Sequence, residues 1–150
     1  MCAQKCVENI DEMISHFINE CKRAGLKVTH QRTEIYRILL IIPDHPSAET
    51  LYKRLLPTLP TISLDTVYRT LSTLEQHGLV NRIQTSESQA RFEAVIANHH
   101  HLICSNCKDV MDFHWPEIES LDLPEAVDGW GKIHSRNLIM YGVCSTCSGK

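Results

Sequence analysis

Cys104-x-x-Cys107 and Cys144-x-x-Cys147 constrain this chain more than any other feature of its sequence. Each pair closes a tight loop with both thiolates aimed at one point. Two such knuckles suit a tetrahedral four-sulfur zinc site. Thirty-six residues lie between Cys107 and Cys144, so a cation held there closes a large loop. A C-terminal stretch of about 55 residues has little core of its own and needs such a staple. The free energy of binding Zn2+ then becomes free energy of folding, which marks the site as structural. A redox switch through disulfides is the other reading of the same four thiols.

The chain has 150 residues, enough for one domain or two small ones, and 43% of them are apolar. Its seven cysteines are an odd number, and four stand in knuckle spacing. That favours metal thiolates in a reducing cytosol over a secreted disulfide framework. No apolar run approaches a membrane-spanning length, and Glu8, Asp11 and Glu12 do not suit a signal peptide. A cytoplasmic protein without membrane contact is expected. Residues 1–95 carry 11 basic and 11 acidic side chains, and residues 96–150 carry 4 and 7. The net charge of −3 therefore sits in the second stretch, while Lys22, Arg23, Lys27 and Arg32 form a basic run free of acids in the first.

Apolar spacing predicts helices over about 9–24, 30–42, 48–56 and 64–77. Gly25, Pro43, Pro57 and Gly78 end them, and Ser47 and Ser63 cap the third and fourth. The fourth puts Leu64, Val67, Leu71 and Leu74 on an apolar stripe. Its other face shows Thr66, Tyr68, Arg69, Ser72 and Thr73, polar but nearly uncharged, as groove-reading helices often are. Residues 79–84 and 90–95 alternate as two strands of a hairpin with a turn over Thr85 to Gln89. Three helices and a hairpin make a winged helix, here with an extra helix in front. Beyond Ala94 to Asn98, strands are predicted at 100–104, 110–115 and 138–143, with one helix between Pro116 and Val127. The fold class is α+β: a winged-helix domain over residues 1–95 and a small α/β domain over 96–150.

A second constellation offers only nitrogen and oxygen: His45, Glu93, His99, His101 and Asp112. In a strand, His99 and His101 face the same side, and Asp112 lies on the next strand, where a carboxylate can meet them. Such donors suit Fe2+, Mn2+ or Zn2+ and disfavour Cu+. A surface role without metal is the bland alternative; three consecutive histidines just before a knuckle favour binding. Cys21 falls on an apolar helix face and is expected to be buried, and His114 and Trp115 are expected in the core or on a domain surface. Cys2 and Cys6 fall in a terminus expected to fray.

Several stretches resemble the ferric uptake regulator family of metal-dependent repressors. They are Gly25-Leu-Lys-Val-Thr-His-Gln-Arg32, His45-Pro-Ser-Ala-Glu49, Ser63-Leu-Asp-Thr-Val-Tyr-Arg-Thr-Leu71, Gly78-Leu-Val80, Ala90-Arg-Phe-Glu93, His99-His-His-Leu-Ile-Cys104 and Tyr141-Gly-Val-Cys144. The resemblance covers nearly the whole chain. It implies a homodimer with N-terminal winged helices and C-terminal dimerisation domains, bound to a palindromic operator in double-stranded DNA. It also implies a regulatory Fe2+ or Mn2+ held by His45, Glu93, His99, His101 and Asp112 from both domains. Tyr68 and Arg69 match the family's base-contacting pair, and Lys27 matches a residue placed near the minor groove.

Asp112 and the paired C-terminal knuckle look like the peroxide-responsive branch, in which iron chemistry oxidises a ligating histidine, here His45, His99 or His101. Glu93 departs from that branch, which tends to have aspartate there. Arg136 and Asn98 replace positions tied to an accessory metal site in some relatives, so no third site is expected. The leading reading is a metal-dependent, peroxide-sensing repressor with a structural zinc and no small organic substrate. An iron- or zinc-uptake regulator of the same family is second. A metalloenzyme is chemically allowed by an open nitrogen–oxygen site, but the chain has no H-E-x-x-H, no deaminase signature and no nucleophile motif. A metal-buffering or zinc-ribbon module is opposed by the Tyr68–Arg69 helix and the wing.

Overall fold

The computed structural model describes residues 10–85, 89–95, 97–133 and 135–149. The chain divides into two compact units, Met1–Val95 and Ile96–Lys150. Cys2 and Cys6 lie outside the described residues, as does the middle of the expected hairpin turn.

The first unit contains α1 (Ile10–Arg23), α2 (His30–Ile41), α3 (Ala48–Leu55), α4 (Leu64–Gln76), β1 (Val80–Ile83) and β2 (Arg91–Ala94). Side-chain oxygens start three of the helices. Thr29, Ser47 and Ser63 accept from the backbone N–H of Arg32, Thr50 and Thr66, three residues on in each case. Each satisfies a donor that the first helical turn leaves over, worth about 1 kcal/mol. Glycines end two of them. Gly25 and Gly78 take positive φ of 71° and 70°. Around them, the N–H of Leu26 returns to Cys21 and that of Leu79 to Leu74, the Schellman closure.

The apolar stripes meet in one core. Ile14, Phe17 and Cys21 of α1 pack with Ile35, Tyr36, Leu39 and Leu40 of α2, with Leu51 and Leu55 of α3, and with Val67, Leu71 and Leu74 of α4. Burying a side chain of this size stabilises by about 1.5–3 kcal/mol. The Phe17 and Tyr36 rings stack with centroids 3.9 Å apart. Burial pushes the Tyr36 hydroxyl up to about 12. Cys21 is fully buried, and its thiol is raised chiefly by desolvation. Ile35, Tyr36, Leu39 and Leu40 form the buried face of α2, while Ile42, inside the predicted range, caps the helix half-buried.

β1 and β2 form the antiparallel wing, with Val80 opposite Ala94 and Asn81 opposite Glu93. Val80, Ile83, Phe92 and Ala94 turn inward. α2, α3, α4 and this ribbon make a winged helix, preceded by α1.

The second unit contains β3 (His100–Cys104), β4 (Val110–Phe113), α5 (Pro116–Ser120), a 3-10 turn (Glu125–Val127), β5 (Ile139–Gly142) and α6 (Ser145–Ser148). Its sheet runs β4-β3-β5, antiparallel on one side of β3 and parallel on the other. Among its described residues, the buried hydrophobics are Ile103 and Cys104 alone. All of β5 is exposed, including Ile139, Met140 and Tyr141.

The helix predicted between Pro116 and Val127 forms only over Pro116–Ser120. Leu121 turns to extended backbone and ends α5 after five residues, and the 3-10 turn follows Pro124. Neither piece buries a side chain, so packing does not repair the break. His114 and Trp115 are exposed.

Candidate metal centres and nucleic-acid interface

The four-cysteine cluster is a product of strand register. β5 runs parallel to β3 with Gly142 beside Cys104, and the Ser105 N–H bonds the Gly142 carbonyl at 2.7 Å. Both knuckles therefore leave the sheet at the same end. Cys104 starts a turn in which Lys108 takes φ 64° and its N–H returns to the Cys104 carbonyl. One sulfur from each of Cys104, Cys107, Cys144 and Cys147 lies within 4.8 Å of the others.

The Cys144 N–H donates to the Cys104 sulfur at 3.4 Å. Such backbone donation, from Cys144 foremost, draws the Cys104 thiol down to about 6. Cys147, sharing protons with the sulfurs of Cys144 and Cys107, is pushed up to about 12. Four sulfurs this close cannot all ionise without a cation. The donor set and its compactness fit Zn2+.

The five nitrogen and oxygen donors fall into two groups, one in each unit. In the first unit, His45 Nε2 lies 3.1 Å from Glu93 Oε2, and both residues are buried. Glu93 sits on β2 opposite Asn81, whose Nδ2 donates to its other oxygen, Oε1, at 3.1 Å. This leaves Oε2 aimed at the imidazole. His45 has φ 46°, in the left-handed region that few residues other than glycine adopt.

Its neighbours hold that turn. Arg54 grips Asp44 with two nitrogens, at 2.7 and 3.1 Å. The Phe92 N–H donates to the Pro46 carbonyl at 3.0 Å. The Arg91 guanidinium reaches the His45 carbonyl at 3.4 Å. Hydrogen bonding to Arg54 holds the Asp44 carboxyl below its ordinary value.

In the second unit, Asp112 on β4 faces His101 on β3. Asp112 Oδ1 lies 3.4 Å from His101 Nε2 and 3.8 Å from His99 Nε2. The two imidazoles meet edge to face with centroids 4.8 Å apart. His99 Nδ1 is 2.9 Å from the Ala97 carbonyl, which leaves Nε2 on the Asp112 side. His100 points elsewhere, its Nδ1 accepting from the Leu138 N–H at 3.1 Å. Nitrogen and carboxylate donors of this kind fit Fe2+, Mn2+ or Zn2+ in both groups.

The exposed face of α4 carries Asp65, Tyr68, Arg69 and Ser72. Arg69 extends into solvent, its guanidinium 3.7 Å from Asp65 one turn earlier. The Tyr68 hydroxyl donates to Glu49 Oε1 on α3. Lys27, exposed, lies between α1 and α2, and its carbonyl accepts from Arg32. Sequence reasoning missed Glu49, Asp44, Arg54 and Arg91. Their partners are distant in the chain, although Asp44 adjoins His45 and Arg91 lies two residues before Glu93.

A winged helix joined to a thiolate-clustered sheet unit, with nitrogen and oxygen donors in each, defines a metal-dependent regulator of transcription and not an enzyme. Residues 23–141 match the model of the ferric uptake regulator family, and the chain belongs to that family. It is 34% identical over 142 residues to the peroxide-responsive repressor PerR of Staphylococcus epidermidis, covering 94% of each chain. The ferric uptake regulator Fur of Helicobacter pylori, whose structure has three functional metal-binding sites, aligns at a TM-score of 0.74. That alignment has 28% identity and covers 95% of both chains. The manganese-containing ferric uptake regulator of Pseudomonas aeruginosa aligns at 0.71 with 35% identity, covering 84% of this chain and 96% of its own.

Proposed function

We propose that this protein is a peroxide-sensing, metal-dependent repressor that binds a palindromic operator in double-stranded DNA as a homodimer in the cytoplasm. Repressors of the family bind DNA and are dimers. The observation that carries the proposal is the split of the donors. The unit bearing the reading helix holds a buried His45–Glu93 pair, and the zinc-type unit holds His99, His101 and Asp112. Groups from two units that share one cation favour a single arrangement of those units. Occupancy then shifts the population toward that arrangement. In a dimer so arranged, two α4 helices reach half-sites about one helical turn apart.

In this reading His45, Glu93, His99, His101 and Asp112 hold the regulatory Fe2+ or Mn2+, and Cys104, Cys107, Cys144 and Cys147 hold structural Zn2+. Fe2+ held there would supply the redox chemistry that activates hydrogen peroxide. One peroxide oxygen would then go to a ring carbon of His45, His99 or His101 and the other would leave as water, and the oxidised imidazole would donate less well. Tyr68 meets thymine methyl groups, Arg69 meets base edges or phosphate, and Lys27 lies toward the minor groove. The exposed apolar residues of β5 offer a dimer face. No small organic substrate is required. The peroxide-responsive name of the Staphylococcus epidermidis relative supports the choice of signal.

A gel shift with an A/T-rich inverted repeat tests this. Binding with Fe2+ or Mn2+, loss with chelator, and loss on adding peroxide to the Fe2+ form alone are expected. Equal binding without metal would overturn the sensor. Response to iron level with indifference to peroxide would make the protein an iron-uptake regulator, the reading that Glu93 favours.

A further inference from the structure

The Tyr68 side chain is 43% exposed on the outer face of α4, yet its hydroxyl is committed. It donates to Glu49, the second residue of α3. We infer that Glu49 is a positioning residue for nucleic-acid reading: its carboxylate holds the Tyr68 hydroxyl so that the ring, and not the hydroxyl, meets the bases. The inference rests on the reading of α4 as the DNA-reading helix.

Three observations carry it. A phenol has a single O–H donor, and here a carboxylate takes it in a charge-assisted bond. That bond is the main reason the Glu49 carboxyl is held below, and the Tyr68 hydroxyl above, their ordinary values. Second, Glu49 stands on a fixed support. Ser47 caps α3, while Ala48, Leu51 and Leu55 are buried on its inner side. A ring tied to such a support has given up rotamer freedom before any duplex arrives, which lowers the cost of binding.

Third, the charge has the wrong sign for the task around it. A carboxylate beside a DNA-reading surface works against the phosphate attraction that supplies most non-specific affinity. What it gives in return is selectivity. With the hydroxyl withheld, the ring offers only apolar edge and face, which suit the thymine methyl in the major groove and not a hydrogen-bonding base edge. Glu49 therefore weakens binding to DNA in general and sharpens the choice between sequences.

The test uses the full-length, Mn2+-loaded protein and two duplexes. One is an A/T-rich inverted repeat that the wild-type chain selects from a random pool; the other is its scrambled counterpart. Fluorescence anisotropy gives the ratio of the two affinities. Glu49→Ala is expected to lower that ratio about tenfold, the cost of one poorly met base pair. Its affinity for the scrambled duplex holds or rises, because a negative charge has left. Glu49→Gln, which keeps an accepting oxygen, restores most of the ratio. An unchanged ratio in Glu49→Ala overturns the inference, as does an equal loss on both duplexes in Glu49→Ala and Glu49→Gln, which marks a role in folding only. Tyr68→Ala separates the two levels. If it lowers the ratio while Glu49→Ala does not, Tyr68 reads DNA unaided. If neither does, the reading of α4 falls together with the brace.

Discussion

His101 and Asp112 stand directly opposite each other on β3 and β4, with Nε2 and Oδ1 3.4 Å apart. The antiparallel register fixes that pairing, so the carboxylate meets the imidazole without help from a mobile loop. His99, one residue before β3, reaches the same oxygen at 3.8 Å. Replacing Asp112 by Ala is expected to lower Mn2+ affinity by at least about tenfold, read by titration of the free ion's spin-resonance signal. The zinc content should stay constant. Unaltered Mn2+ affinity would place the regulatory ion elsewhere.

Zinc removal is expected to unfold the C-terminal unit, because Ile103 and Cys104 are its buried hydrophobics among the described residues. Cys107→Ser leaves three thiolates and should abolish stable zinc binding, with loss of the β-sheet signal in circular dichroism. The helical signal of the N-terminal unit, which has its own core, should persist. A Cys107→Ser protein that melts like the wild type would refute a structural metal.

Arg69 projects freely from α4 apart from a 3.7 Å pairing with Asp65 one turn earlier, so it can leave that partner for DNA at little cost. Arg69→Ala should weaken operator binding by about 1–3 kcal/mol if the guanidinium reads a base. Competition gel shifts measure the effect. Unchanged affinity would remove Arg69 from the interface.

Peroxide should mark a histidine. Treatment of the Fe2+ form is expected to add about one oxygen atom to a peptide containing His45, His99 or His101, by peptide mass spectrometry. The Mn2+ form should remain unmodified. Oxidised cysteines beside intact histidines would point to a thiol switch instead.

The Asp44–Arg54 pair carries a pH signature. The Asp44 carboxyl lies below its ordinary 3.8, chiefly through the bond from Arg54. A depressed acid stabilises the fold above its unfolded value and loses that contribution as pH falls through the folded one. Asp44→Asn should therefore destabilise by less than about 1 kcal/mol at neutral pH, since both partners are partly exposed. The difference from wild type should shrink below about pH 4 in denaturant titrations. A gap that widens in acid would contradict the assignment.

Most of this could be read from sequence because the signals were local. Ser47 and Ser63 announced helix starts by their place before apolar periodicity, and Gly25 and Gly78 announced the ends. The thiolate cluster was visible as spacing, and the His101–Asp112 meeting followed from two strands close in the chain. The brace from Glu49 to Tyr68 spans 19 residues and two helices, and no periodic pattern encodes it. Asp44 and Arg54 are ten residues apart across a helix start, outside the three- or four-residue spacing that pairs charges on one face. Between Pro116 and Val127 the helix was legible but its early end was not, because neither α5 nor the turn after it buries a side chain whose pattern could mark the extent.

The left-handed backbone of His45 limits how that residue can be probed. Alanine or a branched residue there removes the imidazole and also strains the turn, so its effect confounds lost coordination with a distorted loop. Asparagine and glycine accept that geometry. Only those two exchanges isolate the chemistry of the ring, and a survey built on alanine alone would overstate what the imidazole contributes.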